Sequence, residues 1–329
     1  MSKKTYATAI RDTIAEEMRR DDRVFIMGED VETLGGVFGC TRDLYKEFGV
    51  ERVRNTPISE AGIVGAGVGA ACAGMRPIVE LMYMDFTLVS ADQILNQAAK
   101  TCYVFGGKAR IPLVIRGQQG IGRGNAATHS QSLETLFMHV PGLKVACPST
   151  AADAAGLLRT AIRDDNPVMF FEHKALYSVS FDVPDDTEYM IPFGKAHVKR
   201  AGKDVTIVAS LLYVSRALEA AEDLAKQGIE AEVIDPRTLI PLDMDTIVES
   251  VKKTGRLVIA HEAHRMAGWG AEVAAQATES AFRYLDAAPI RLGAKACPIP
   301  FNLELESAVV PSIKDIIDAA KAVCYHQEG

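Results

Sequence analysis

The chain has 329 residues, 48% of them apolar, a formal charge of −7 and six cysteines with no Cys-x-x-Cys pair. That length exceeds one small core and suits two α/β domains. The acidic balance, spread over mixed clusters such as Glu16 to Arg23, excludes a basic nucleic-acid face, and scattered free thiols fit a reducing compartment.

Met1 to Ile10 carries two lysines but no apolar signal core, and no stretch of roughly 18 apolar residues follows to span a membrane. A soluble, cytoplasmic bacterial protein is expected. A helix is predicted over Tyr6 to Arg19, then a buried strand over Val24 to Met27. The alternation continues with helix Glu60 to Ala73, strand Pro77 to Leu81, helix Ser90 to Tyr103, and strands Leu113 to Ile115 and Lys144 to Ala146. Pro148, Ser149 and Thr150 signal the start of a helix over Ala151 to Arg163, and strand Val168 to Phe171 follows. Short β-branched runs alternating with helices predict a mainly parallel sheet flanked by helices.

From Ser178 to Gly202 prolines and charges weaken the pattern, which marks a domain boundary. A second α/β series follows. Its strands fall near Val205, Ala231 to Ile234, Leu257 to Ala260 and Ile290 to Leu292. Its helices fall near Ser215 to Gln227, Asp245 to Lys253, Glu272 to Phe282 and Ile313 to Val323.

Gly62, Gly65, Gly67 and Gly69 lack the Gly-x-Gly-x-x-Gly spacing and a strand leading into them, so close helix packing outweighs a nicotinamide-binding oxidoreductase. Gly117, Gly120, Gly122 and Gly124 lack the Gly-Lys-Ser/Thr of a P-loop and read as a mobile loop leading to His129. His261, Glu262 and His264 miss the zinc-protease spacing, because Arg265 stands where the second histidine belongs. Glu60 follows Ser59, a possible helix cap, and by itself is an ordinary acidic first-turn residue. Phe86 alone is an ordinary aromatic at a strand exit. His129 ends a polar glycine loop, and histidine is the residue type suited to proton transfer near neutrality, which makes it a catalytic candidate.

Taken together, six segments resemble one family: Met27-Gly28-Glu29-Asp30-Val31, Thr56-Pro57-Ile58-Ser59-Glu60, Asp92 to Lys100, His129-Ser130-Gln131, Pro141 to Val145 and Ala161 to Pro167. In that order they are similar to the beta subunit of the thiamine-diphosphate-dependent component of 2-oxo-acid dehydrogenase complexes, acetoin dehydrogenase included. The resemblance implies a transketolase-like pyrimidine-binding domain over 1–185, a linker over 186–202, and a C-terminal α/β domain over 203–329 for subunit contacts and acyltransferase docking. It implies carbon–carbon cleavage of a 2-oxo acid such as pyruvate, or of acetoin, then reductive acylation of a lipoyl group. A branched-chain beta subunit and a non-catalytic scaffold subunit are the alternatives.

Carried over by position, Glu60 hydrogen-bonds the pyrimidine ring nitrogen, Phe86 packs on the ring face, Ile58 lies in the same wall, and His129 faces the incoming lipoyl group. Potassium is implied at Leu113, Ala161, Ile162, Asp164 and Asn166, mostly through backbone carbonyls. The resemblance places the diphosphate and its magnesium on an alpha subunit, through a Gly-Asp-Gly motif, and the absence of that motif from this chain agrees. The implied assembly is a heterotetramer of two alpha and two beta chains on a lipoyl-bearing acyltransferase core.

Overall fold

A computed structural model describes residues 1–324. The chain divides into two units, one of 1–119 with 136–193, the other of 120–135 with 194 onward.

The first unit opens with strand β1 (Ser2–Thr5), helix α1 (Tyr6–Arg20), strand β2 (Val24–Gly28), helix α2 (Leu44–Phe48), strand β3 (Val53–Asn55), helix α3 (Glu60–Cys72) and strand β4 (Arg76–Leu81). It continues with α4 (Ala99–Val104), β5 (Val114–Gln119), α5 (Glu134–Met138), β6 (Lys144–Ala146), α6 (Ala151–Arg163), β7 (Val168–His173) and β8 (Ser180–Val183). Its main sheet runs β6-β7-β5-β4-β2-β3, every pair parallel. All residues of β2, β4, β5 and β7 are buried, as a sheet covered on both faces requires. α1 and α6 lie side by side, and each is capped by a threonine that accepts from the N–H three residues on. Glu17, buried on α1, accepts from Arg163 at 2.7 Å and joins the two helices.

The expected elements differ from the observed ones in ways that have local causes. The predicted helix Ser90 to Tyr103 is a π-helical turn over Gln93–Ala98 that leads into α4. There Asp92 accepts from both Asn96 (2.7 Å) and Gln97 (3.4 Å), four and five residues on. β5 and β7 run past their apolar cores to Gln119 and His173, because their polar residues pair with each other inside the sheet. β1 and β8 form an antiparallel pair that the lysines of β1 concealed.

The second unit comprises β9 (His197–Arg200), β10 (Val205–Ala209), α7 (Leu212–Ala225), β11 (Ala231–Asp235), β12 (Thr238–Ile240), α8 (Met244–Thr254), β13 (Leu257–His264), α9 (Trp269–Ala281), β14 (Ile290–Ala294), α10 (Leu303–Ala308) and α11 (Ile313–Val323). Its sheet runs β14-β13-β10-β11-β9, with only β9 antiparallel. β9 lies inside the expected linker 186–202, where its charged edge-strand composition hid it.

Segment 120–135, which the expected bounds 1–185 include in the first domain, packs with the second unit. Two buried carboxylates hold it there. Glu262 accepts from Ile121 N–H (2.8 Å) and Ser132 Oγ (3.0 Å), and Glu306 accepts from Gly122 N–H (3.1 Å). Ile121 then joins Ala294, Ile299 and Val310 in an apolar cluster.

His261 lies inside β13, its ring 5.0 Å from that of Trp269. A Cβ on Gly270 would meet the ring at 2.9 Å, so glycine is what lets α9 approach. Nδ1 hydrogen-bonds Ala263 O at 3.0 Å, and burial pushes the imidazole down to about 4. The unfolded imidazole, at about 6.5, therefore binds a proton that the folded one refuses between these values. Stability is expected to fall by up to about 3 kcal/mol as pH drops from 6.5 to 4, on this residue's account. His261→Phe should flatten that part of the urea-midpoint profile; an unchanged slope would show that another group is responsible.

Candidate active site

The carboxyl ends of β2, β3 and β4 lie side by side in the first unit, the edge where open α/β sheets place their ligands. Each strand delivers one candidate group there. β2 ends at Gly28 and is followed by Glu29. β3 leads through Thr56 and Pro57 to Glu60, the first residue of α3. β4 leads into a tight 3₁₀ turn over Met84–Leu88 that carries Phe86. Thr56 N–H donates to Gly28 O at 3.0 Å, which ties the approach to α3 to the end of β2.

Glu60 is 7% exposed and Glu29 6%. Ser59 makes no side-chain cap bond, so the expected capping role falls away and α3 begins on Glu60 with its first turn open. Burial raises the Glu29 carboxyl above its ordinary value, and the nearby charges of Glu60, Asp30 and Glu80 raise it further. Glu29 Oε1 and Thr56 Oγ1 are buried without a hydrogen-bond partner. Each of these oxygens keeps the capacity for a further hydrogen bond. Around them the surface is apolar and open, with Ile58 80%, Leu88 53% and Val89 57% exposed.

The structure thus gathers Glu60, Ile58 and Phe86 on the first unit, while His129 belongs to the second. His129 is half-buried, its Nδ1 2.9 Å from Thr128 Oγ1, on the loop that Glu262 and Glu306 pin down. Sequence reading gave no role to Glu29, although it lies inside a matching segment. The available signal was a carboxylate directly after a fully apolar strand.

The turn at Leu113, Ala161, Ile162, Asp164 and Asn166 is closed by its own groups. Arg76 donates to Ile162 O (2.8 Å) and Asp164 O (2.6 Å), Leu113 O accepts from Val168 N–H (2.9 Å), and Ala161 O accepts from Asp164 N–H (3.3 Å). Lys144 binds one Asp164 carboxylate oxygen, and Asn166 donates to the other at 2.9 Å. The zinc-like trio is no site: His261 is sealed under Trp269, and His264 Nδ1 bonds Lys295 O at 2.8 Å.

Residues 2–179 match the family described as transketolase, pyrimidine binding domain, and 194–316 match transketolase, C-terminal domain. The pyruvate dehydrogenase E1 component subunit beta of Rickettsia felis is 50% identical, over 98% of both chains. That of Rhizobium meliloti is 47% identical over 99% of this chain and 71% of the relative. The acetoin:2,6-dichlorophenolindophenol oxidoreductase subunit beta of Cupriavidus necator is 50% identical over 95% of both.

The chain belongs to the E1 beta-subunit family.

In solved structures, a split gene transketolase, inactive beta4 tetramer, superposes with a TM-score of 0.79 at 23% identity, covering 98% of this chain and 99% of its own. That likeness confirms the transketolase-like fold of this E1 beta-family chain. Glu60, Glu29 and Phe86 all lie within the part that matches the pyrimidine-binding family.

Proposed function

We propose that this chain supplies the pyrimidine side of a thiamine diphosphate site in a 2-oxo-acid or acetoin dehydrogenase, completed by an alpha subunit. The observation that carries the reading is the buried pair Glu60 and Glu29, with one Glu29 oxygen unpartnered, at the strand ends of a pyrimidine-binding fold. The residues suit an aminopyrimidine: a carboxyl for the ring nitrogen at Glu60, an aromatic face at Phe86, apolar walls at Ile58. When bound, thiamine diphosphate supplies a carbon nucleophile and an electron sink. Glu60 holds and moves a proton at the ring nitrogen, and the apolar rim excludes water.

The exposed rim of Ile58, Leu88 and Val89 supports an alpha partner that covers it, within a heterotetramer of two alpha and two beta chains. Magnesium and the diphosphate are assigned to that partner, and the second unit to docking on a lipoyl-bearing acyltransferase. Among the described residues no helix is long and apolar enough to cross a membrane, and a cytoplasmic location in a bacterium is part of the proposal. A potassium ion at the Ala161 to Asn166 turn would use second lone pairs of carbonyls that already accept one hydrogen bond each, beside the cations of Arg76 and Lys144.

Co-expression with an alpha subunit, then assay of pyruvate, acetoin and branched-chain 2-oxo acids with thiamine diphosphate and magnesium, tests the reading. Pyruvate or acetoin turnover is expected; turnover of none of the panel would end it. His129 is the candidate for proton transfer as the acyl group passes to lipoyl. His129→Ala should slow lipoyl acylation about 10-fold or more beyond any loss with an artificial electron acceptor. Equal losses with the two acceptors would remove His129 from that step.

A further inference from the structure

The loop that carries His129 is joined at its base through a single oxygen atom. Gly120 N–H donates to Gln131 O at 3.3 Å and brings the two arms of the loop together. Glu262 Oε1 then bridges them. It accepts from Ile121 N–H at 2.8 Å on the incoming arm and from Ser132 Oγ at 3.0 Å on the outgoing one. Ser132 follows His129 by three residues, so the bridge closes on the histidine's own side of the loop. Glu262 is 7% exposed and belongs to β13, which makes the anchor part of the sheet.

The two arms differ in what lies behind them. The incoming arm is packed. Ile121 is buried with Ala294, Ile299 and Val310, and Glu306 accepts from Gly122 N–H. Gly124, at φ +62, lies so close to Phe301 that a Cβ on it would meet the carbonyl oxygen at 2.8 Å. The outgoing arm carries His129 and borders a cavity of about 620 Å³, with Thr128, Gln131 and Leu133 on one wall and Ala294, Cys297 and Ile299 on the other. With a cavity at its back, this arm takes its place from hydrogen bonds more than from packing. The bond from Ser132 to Glu262 ties it to the sheet.

We propose that Glu262 is a positioning residue for His129: by stapling the two arms of the loop to β13, it fixes where the imidazole stands as the acyl group passes to lipoyl. This rests on the reading of His129 as the proton-transfer group of that step. Glu262 acts through the amide and hydroxyl it holds. A shift of the arm by about 1 Å is enough to slow a positioned step on the order of 100-fold.

The test compares Glu262→Ala with Glu262→Gln in the enzyme assembled with its alpha subunit. Hydrogen exchange over residues 121–132, followed by mass spectrometry, reads the staple directly. Glu262→Ala should exchange about 10-fold faster there, whereas Glu262→Gln keeps an acceptor and should stay near the parent. Lipoyl acylation should follow the same order, with Glu262→Ala losing about 10-fold or more beyond any loss with an artificial electron acceptor. In a His129→Ala background Glu262→Ala should cost acylation nothing further, because a residue that acts through another falls silent once that other is gone. If Glu262→Ala does not assemble, Ser132→Ala removes the outgoing half of the staple and should show a weaker form of both effects. Unchanged exchange in the assembled Glu262→Ala or Ser132→Ala variant overturns the proposal. So does a full further loss of acylation in the His129→Ala background. Failure of the His129 reading is distinct: it would appear as equal losses with the two acceptors in His129→Ala itself, while exchange still quickened in Glu262→Ala.

Discussion

Glu60→Gln in the assembled enzyme is expected to lose turnover by about 100-fold or more, the usual contribution of a positioned acid or base, while folding and assembling as before. The substitution keeps the volume of the side chain and its place at the start of α3, where the helix N-terminus tolerates a neutral residue at a penalty of about 1 kcal/mol or less. What it removes is the ability to exchange a proton. Neighbouring Glu29 would not substitute, because burial and its acidic neighbours favour its protonated form. Steady-state turnover beside circular dichroism and a melting curve decides the matter. Near-normal turnover in a properly assembled variant would falsify the assignment of Glu60.

The largest effect on stability should come from Arg116→Met. It leaves Glu80 and Glu172 buried in the centre of the sheet with their shared cation gone, a loss worth about 3–5 kcal/mol for such broken pairs. The deficit should shrink at low pH, where both carboxyls can take protons and shed the charge that burial penalises. Urea midpoints at neutral and acid pH measure both statements. A loss below about 1 kcal/mol at neutral pH would mean that water or another cation already serves these carboxylates.

How much of this was legible beforehand depended on what each residue does locally. Strands such as Val24–Gly28 and the apolar part of Val168–His173 declared themselves because a doubly covered parallel sheet needs unbroken apolar runs. The polar edge strands Ser2–Thr5 and His197–Arg200 did not, since their pairing depends on partners far along the chain. Glu60 read as an ordinary first-turn acid until the surrounding segments were matched as a set, for nothing in its neighbours announces burial. Glu80 was visible as a charge inside an apolar strand, whereas Arg116 and Glu172 lay just past the expected strand ends. Only the register of β4, β5 and β7 makes them one group. The attachment of His129 to the second unit could not be read at all, because Glu262 and Glu306 act across well over a hundred positions of sequence.

That attachment bears on any attempt to take the protein apart. The backbone leaves the first unit after Gln119, returns at Leu136 and departs for good after Phe193. A protease nick at the last of these points would free two fragments, but the N-terminal one would still carry a stretch whose amides are bonded by glutamates of the other. The fragments would be expected to stay clasped. A gene cut at the same place would give halves that need each other to mature.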